Sequence, residues 1–241
     1  MKILIVRHAE PDYSIDSLTE KGFREAELVS KRIEKLCVKE FYVSTMGRAK
    51  DTAFPTLKKM EREAIYCDWL REFVVDMKRS DGVLDIAWDW LPQEWTKNED
   101  FYLEKKWHEV SPFKESNAYE RYKEVTGELD KIIKKHGYER DGRTYKAVKP
   151  NNDTIVLFCH FGVQCVLLSH LFGISPMILW HNFCALPTSV TTVVTEERRE
   201  GTAIFRMCGF GDISHLYKEG EPPSFAARFR ECYFNEDERK D

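Results

Sequence analysis

The chain has 241 residues, of which 42% are hydrophobic and 32% charged, with aromatic residues at 13% and a formal net charge of -4. That profile predicts one sizeable soluble domain with a real core; it excludes a disordered chain and provides no global basic field for nucleic acid or an anionic membrane surface. No window reaches the ~18 consecutive apolar residues of a membrane span, and the N-terminal apolar run is too short for the core of a signal peptide. Seven cysteines, an odd number without a C-x-x-C, read as reduced thiols of a cytoplasmic protein.

Residues 2–6 form a short β-branched run that stops at Arg7 and His8, as a buried strand of a parallel sheet does. From Thr19 onward, Phe23, Ala26, Val29, Ile33 and Leu36 recur at helical spacing, with Thr19 or Ser17 as N-cap. Residues 41–43 make a second strand that runs into Ser44-Thr45-Met46-Gly47-Arg48-Ala49-Lys50-Asp51-Thr52-Ala53, the start of a helix that Pro55 is expected to kink or shorten. Ile65–Cys67 reads as a third strand. Residues 73–150 differ in composition, holding Trp88, Trp90, Trp95 and Trp107 and an amphipathic helix on Tyr119, Tyr122, Val125, Leu129, Ile132 and Ile133. This stretch reads as a helical cap with the tryptophans in its core and residues 142–152 as its return linker. Residues 153–158 are the clearest central strand, followed by His160 and a helix that Gly173 and Pro176 end. Residues 189–194 and 203–207 read as the last strands, joined by a charged turn over 196–201, and the tail after Phe234 is expected to fray. The alternation predicts a single α/β domain over 1–241. Its form is a three-layer sandwich with a mostly parallel central sheet flanked by helices, plus a helical cap insertion at about 73–150.

The opening Arg7-His8-Ala9-Glu10-Pro11 admits two chemistries. His-Ala-Glu is the first half of a zinc deaminase signature, H-x-E followed by P-C-x-x-C. The nearest cysteines, Cys159 and Cys165, are too far apart to complete it, and His8 follows a strand instead of opening a helix, so no metal site is expected. The alternative is phosphate. Open α/β sheets bind ligands outside the carboxyl ends of their strands, and three such ends carry Arg7 with His8, Arg48, and His160. Guanidinium forks suit phosphate oxygens, and phosphoryl transfer asks for positioning, charge neutralisation, a nucleophile and an acid.

Four motifs in this order form a familiar set: R-H-A-E, S-T-M-G-R-A-K-D-T-A, Leu70-Arg71-Glu72 and C-H-F-G. With Ser17-Leu18-Thr19-Glu20-Lys21-Gly22 and Gly211-Asp212-Ile213-Ser214-His215-Leu216, the chain resembles the histidine phosphatase superfamily, which includes the cofactor-dependent phosphoglycerate mutases. The resemblance spans roughly residues 1–75 and 150–217. It implies phosphomonoester hydrolysis of a small phosphorylated substrate without a cofactor, and no nucleic-acid or membrane partner. His8 would be the nucleophile, Arg7, Arg48 and His160 the phosphate ligands, and Glu72 the proton donor and later the base toward water; Glu63, Glu10 or an acid from the insertion are the alternatives for that role. To attack, His8 must be neutral with one ring nitrogen donating to a backbone carbonyl, whereas His160 serves best protonated by the phosphate it binds. Ala9 and Phe161 replace residues that are usually glycine or small, and Phe161 is expected to close one wall of the pocket. Glu10-Pro11-Asp12-Tyr13 replaces the polar stretch with which the mutases hold phosphoglycerate. Two other readings use the same residues: mutase-type phosphoryl transfer, and a non-catalytic module that binds a phosphorylated ligand. Glu10 is expected at the pocket rim, His215 in a structural part near the site, and His108, His136, His170 and His181 at the surface or satisfied in the core.

Overall fold

In chain order, β1 (Lys2–Arg7) leads through a small ribbon of β2 (Pro11–Asp12) and β3 (Ser17–Leu18) to α1 (Glu20–Ile33), β4 (Val38–Ser44), α2 (Gly47–Met60) and β5 (Ile65–Cys67). A second ribbon, β6 (Val74–Lys78) with β7 (Leu84–Ile86), precedes the short α3 (Pro92–Trp95), three 3-10 turns and α4 (Ala118–Lys135). Then follow β8 (Tyr138–Asp141), β9 (Thr144–Ala147), β10 (Thr154–Cys159), α5 (Phe161–Phe172), α6 (Pro176–Asn182), β11 (Val190–Arg199), β12 (Thr202–Asp212) and α7 (Ser214–Lys218). These elements come from a computed structural model that describes residues 1–80, 82–225 and 229–237, to which all counts refer. Residues 238–241 of the tail expected to fray lie outside the described residues.

Eight strands form one sheet in the order β5-β4-β10-β1-β11-β12-β9-β8. The pairings from β5 to β1 are parallel and those from β1 to β8 antiparallel. Six strands therefore point one way, and the expected mostly parallel α/β sandwich is observed, with an antiparallel outer half. Period two accounts for the layers. Ile3, Ile5, Ile155 and Leu157 face one apolar cluster, which α4 and α5 cover with Val125, Leu129, Val163 and Leu167. Leu4, Val6, Val156 and Phe158 face the other, which α1 and α2 cover with Val29, Ile33 and Ala53.

Several boundaries differ from the sequence reading. The stretch 73–150 is not one helical cap. Its first part is the β6–β7 ribbon and short turns, α4 packs on the sheet beside α5, and β8 and β9 extend the sheet edge where the end of the cap and its return linker are expected. Trp95 and Trp107 are buried as expected, whereas Trp88 and Trp90 are half-buried. Pro55 lies inside α2 without ending it, because Ala49, Thr52, Ala53 and Thr56 bury a face that holds the helix through the missing donor. The charged residues 196–199 continue β11 as a strand, with Glu196 paired to Arg206 of β12, so the turn shrinks to residues 200–201. Thr19 is the N-cap of α1, its Oγ1 accepting from Gly22 N at 3.0 Å.

Candidate active site

Parallel register builds the site. β1 and β10 align Arg7 with Cys159, so the next residue of each strand, His8 and His160, leaves the sheet at the same end. His8 N donates to Cys159 O at 2.9 Å, and the two imidazole centroids are 5.1 Å apart. β4, on the far side of β10, ends at Ser44, whose Oγ lies 2.8 Å from His160 Nε2. α2 then starts immediately and carries Arg48 in its first turn.

The Nδ1 atom of His8 is 2.8 Å from the carbonyl oxygen of Ala9. A carbonyl can only accept, so Nδ1 carries the hydrogen and Nε2 keeps its lone pair. Burial, reinforced by the charges of Arg7 and Arg48, pushes His8 well below the ordinary imidazole pKa, against the opposing effect of the Ala9 carbonyl. His160 is pushed down likewise by burial and then by His8, Arg48, Arg7 and Arg71. With no anion bound, the site thus holds two neutral imidazoles beside two guanidiniums.

Each guanidinium is anchored once. Arg7 Nη1 donates to Ala185 O at 2.5 Å, and Arg48 Nη1 to Asp16 Oδ1 at 2.5 Å. Asp16 also accepts from Gly47 N at 2.7 Å. A cation in the first turn opposes the helix dipole, and Asp16 supplies the compensating anion. Burial alone would raise the Asp16 carboxyl, yet the hydrogen bonds from Gly47 and Arg48 together hold it below the usual carboxylate range. Three buried polar atoms lack any hydrogen-bond partner here: Arg7 Nε, Arg48 Nε and His160 Nδ1.

Glu72 Oε1 accepts from Phe73 N at 2.8 Å and from Val163 N, in the first turn of α5, at 3.1 Å. Arg7, Arg48 and Glu72 line a cavity of about 370 Å³, together with Tyr13, Phe161 and, from the ribbon, Val74, Ile86, Trp88 and Asp89. His8 and His160, 1% and 0% exposed, do not line it but stand against Arg7 and Arg48. All five residues expected to carry the chemistry are thus brought to one end of the sheet, and Phe161 forms part of the wall as expected. Ala9 needs no glycine: its N–H donates to Thr52 Oγ1 and its methyl packs against Leu18 and Ala26.

Glu10 is not a rim acid. Its carboxylate accepts from Thr19 Oγ1 at 2.8 Å and Ser224 Oγ at 2.5 Å, while its N–H binds Glu25. Neither Glu10 nor Glu63 lines the cavity. The sequence reading gave Asp16 and Ser44 no role at the site and put Trp88 in the core of the cap; each acquires its place only from the path of the chain. His215 donates from Nε2 to Thr188 Oγ1 at 3.1 Å, since that hydroxyl hydrogen goes to Pro187 O, and Thr188 N donates to His8 O at 3.2 Å. Its part near the site is structural, as expected. Three of the other imidazoles have polar partners, His136 at Tyr42 and Glu40, His170 at Asp130 and His181 at Met177 O, while His108, half-buried, stacks on Tyr119. The seven cysteines are free. Among the described residues no group of three or more His, Cys, Asp or Glu could hold a metal ion, and no helix is long and apolar enough to cross a membrane.

Comparison with known proteins gives the same family as the motifs. The model of the histidine phosphatase superfamily (branch 1) matches residues 3–205. A Schizosaccharomyces pombe protein named as a probable phosphatase is 24% identical over 234 residues, covering 91% of this chain and 97% of its own. Among solved structures, a mutant of phosphoserine phosphatase from Entamoeba histolytica in complex with phosphoserine superposes with a TM-score of 0.58 at 19% identity, covering 89% of this chain and 98% of that one. The mycobacterial glucosyl-3-phosphoglycerate phosphatase, in complex with VO3, gives 0.54 at 14% identity, covering 87% and 98%. These structural likenesses show the shared α/β fold.

Proposed function

The chain belongs to branch 1 of the histidine phosphatase superfamily, and from that premise we propose that it hydrolyses small phosphomonoesters through a phosphohistidine on His8. The observation that carries this reading is the state of His8, a buried ring held neutral beside Arg7 and Arg48, whose Nδ1–H is fixed on Ala9 O and whose Nε2 keeps its lone pair. Phosphatase-named relatives support hydrolysis, and solved neighbours holding phosphoserine or 3-phosphoglycerate support a small substrate.

The substrate dianion satisfies the three unpartnered atoms Arg7 Nε, Arg48 Nε and His160 Nδ1. Its charge also opposes the burial and the neighbouring cations that keep His160 neutral, so that ring gains a proton as the dianion binds and stabilises the equatorial oxygens. His8 Nε2 then forms a bond to phosphorus as the ester P–O bond breaks. The departing oxygen takes a proton from Glu72, whose Oε1 is engaged by two backbone N–H groups and whose Oε2 is the atom left to hand it on. In the second half the Glu72 carboxylate removes a proton from water, the water oxygen bonds to phosphorus, and the N–P bond to His8 breaks.

The test uses an aryl phosphate with chelator present. The parent protein should release phosphate and, on rapid quenching, carry an acid-labile, alkali-stable phosphoryl group; His8→Ala, folded by circular dichroism, should do neither. Retention of the parental rate in that variant refutes the mechanism.

A further inference from the structure

Beside Arg7, Arg48 and Glu72, the cavity is lined mainly by aromatic and aliphatic residues, among them Tyr13, Val74, Ile86, Trp88 and Phe161, with Asp89 as a further charged group. The charged residues among the described lining are two cations, Arg7 and Arg48, and two acids, Glu72 and Asp89. Both guanidiniums already give one hydrogen bond to a protein oxygen, at Ala185 and Asp16. A bound phosphate dianion uses the charge that remains. A leaving group with its own carboxylate or second phosphate would find no third cation among the described lining residues and would share the cavity with the acids Glu72 and Asp89.

The rings, in contrast, are tied to the phosphate-binding groups themselves. Phe161 lies 5.6 Å from the Arg7 guanidinium carbon and Tyr13 5.4 Å from that of Arg48. Trp88 packs so closely on Gly162 that a Cβ there would come within 2.4 Å of its ring. An ester whose phosphate sits between Arg7 and Arg48 therefore places its leaving group among three aromatic faces, in a space of a size that suits small molecules. We propose that the natural leaving group is an uncharged aromatic or flat apolar alcohol, and that the pocket rejects phosphoesters bearing a second acid. This rests on the hydrolysis proposed above and adds its substrate class.

The experiment measures kcat/KM of the full chain for 2-naphthylmethyl phosphate, glycerol phosphate and phosphoserine, all esters of primary alcohols. Stacking on the rings should favour the naphthylmethyl ester over glycerol phosphate by about tenfold or more, with phosphoserine poorest. Trp88→Ala should raise KM more for the naphthylmethyl ester than for glycerol phosphate, and Trp88→Phe should restore most of the difference. Val74→Arg, which adds a cation on an exposed wall position, should raise kcat/KM for phosphoserine relative to glycerol phosphate. If the parent cleaves phosphoserine as efficiently as the naphthylmethyl ester, the substrate class is wrong and the hydrolysis reading stands. If none of the three esters releases phosphate, both are wrong.

Discussion

A single missing methyl group governs the contact between acid and ribbon. Gly162 lies in the first turn of α5, where alanine would by helix propensity alone stabilise the chain by about 1 kcal/mol. Yet a Cβ there would stand 2.4 Å from the Trp88 ring and 2.7 Å from Glu72 Oε1. That oxygen cannot retreat without giving up its bonds from Phe73 N and Val163 N. Displacing an acid by even an ångström from its reacting atom costs on the order of 10²-fold. Gly162→Ala should therefore lower kcat by about that factor with a smaller change in KM, read from saturation curves on an aryl phosphate. An unchanged kcat would mean that Glu72 is not the proton donor. The motif reading found Glu72 but could not find this constraint, since Gly162, Trp88 and Glu72 meet only once the ribbon has folded back over α5.

The elements that were readable share one property: they are covered on both faces. β1, β10 and residues 41–43 of β4 appear as unbroken apolar runs because α-helices lie above and below them. β8 and β9 lie at the sheet's outer end with the sequences YERD and TYKA and a single buried residue each, Tyr138 and Tyr145, so neither reads as a strand: β9 falls in the expected linker and β8 in the expected cap. Their place in the sheet is testable. Tyr145 is 1% exposed and meets the Phe205 ring edge-on at 4.9 Å. Removing it from a packed edge should cost about 3 kcal/mol, the scale of large aromatic truncations, seen as a lower urea midpoint for Tyr145→Ala; a linker tyrosine would change it little. The helices followed the same logic. α1 announces itself by periodicity and a cap, whereas α2 outlasts Pro55 because its buried alanines and threonines outweigh one lost hydrogen bond. The paired histidines were legible because strand ends are where such sheets bind ligands, and Asp16 was not, because its pairing with Gly47 N spans 31 residues of chain that include α1 and β4.

Across the whole molecule the buried imidazoles set the response to acid. Burial lowers His8, His136, His160, His181 and His215 from the ordinary value of 6.5, to about 4 for His181 and His215. An unfolded chain protonates all five near 6.5, so it binds more protons than the native state and stability falls as pH drops from 6.5 toward 4. Glu25 acts in the opposite sense. Burial raises its carboxyl from 4.5 to about 7, so the fold carries the cost of ionising it above pH 7 and is relieved of that cost as pH falls to 4.5. Five groups outweigh one, and each net proton is worth about 1.4 kcal/mol per pH unit. The urea midpoint should therefore be highest near neutrality and decline steadily below pH 6; a midpoint that holds or rises between pH 7 and 5 would contradict this. Glu25→Gln separates the two contributions, because an amide oxygen can still accept from Glu10 N. That variant should be more stable than the parent above pH 7 and converge on it near pH 4.5, which makes its decline with acid the steeper of the two. Two of the five imidazoles, His8 and His160, belong to the candidate site. The neutrality that the proposed attack by His8 requires thus comes from the same burial that makes the fold sensitive to acid.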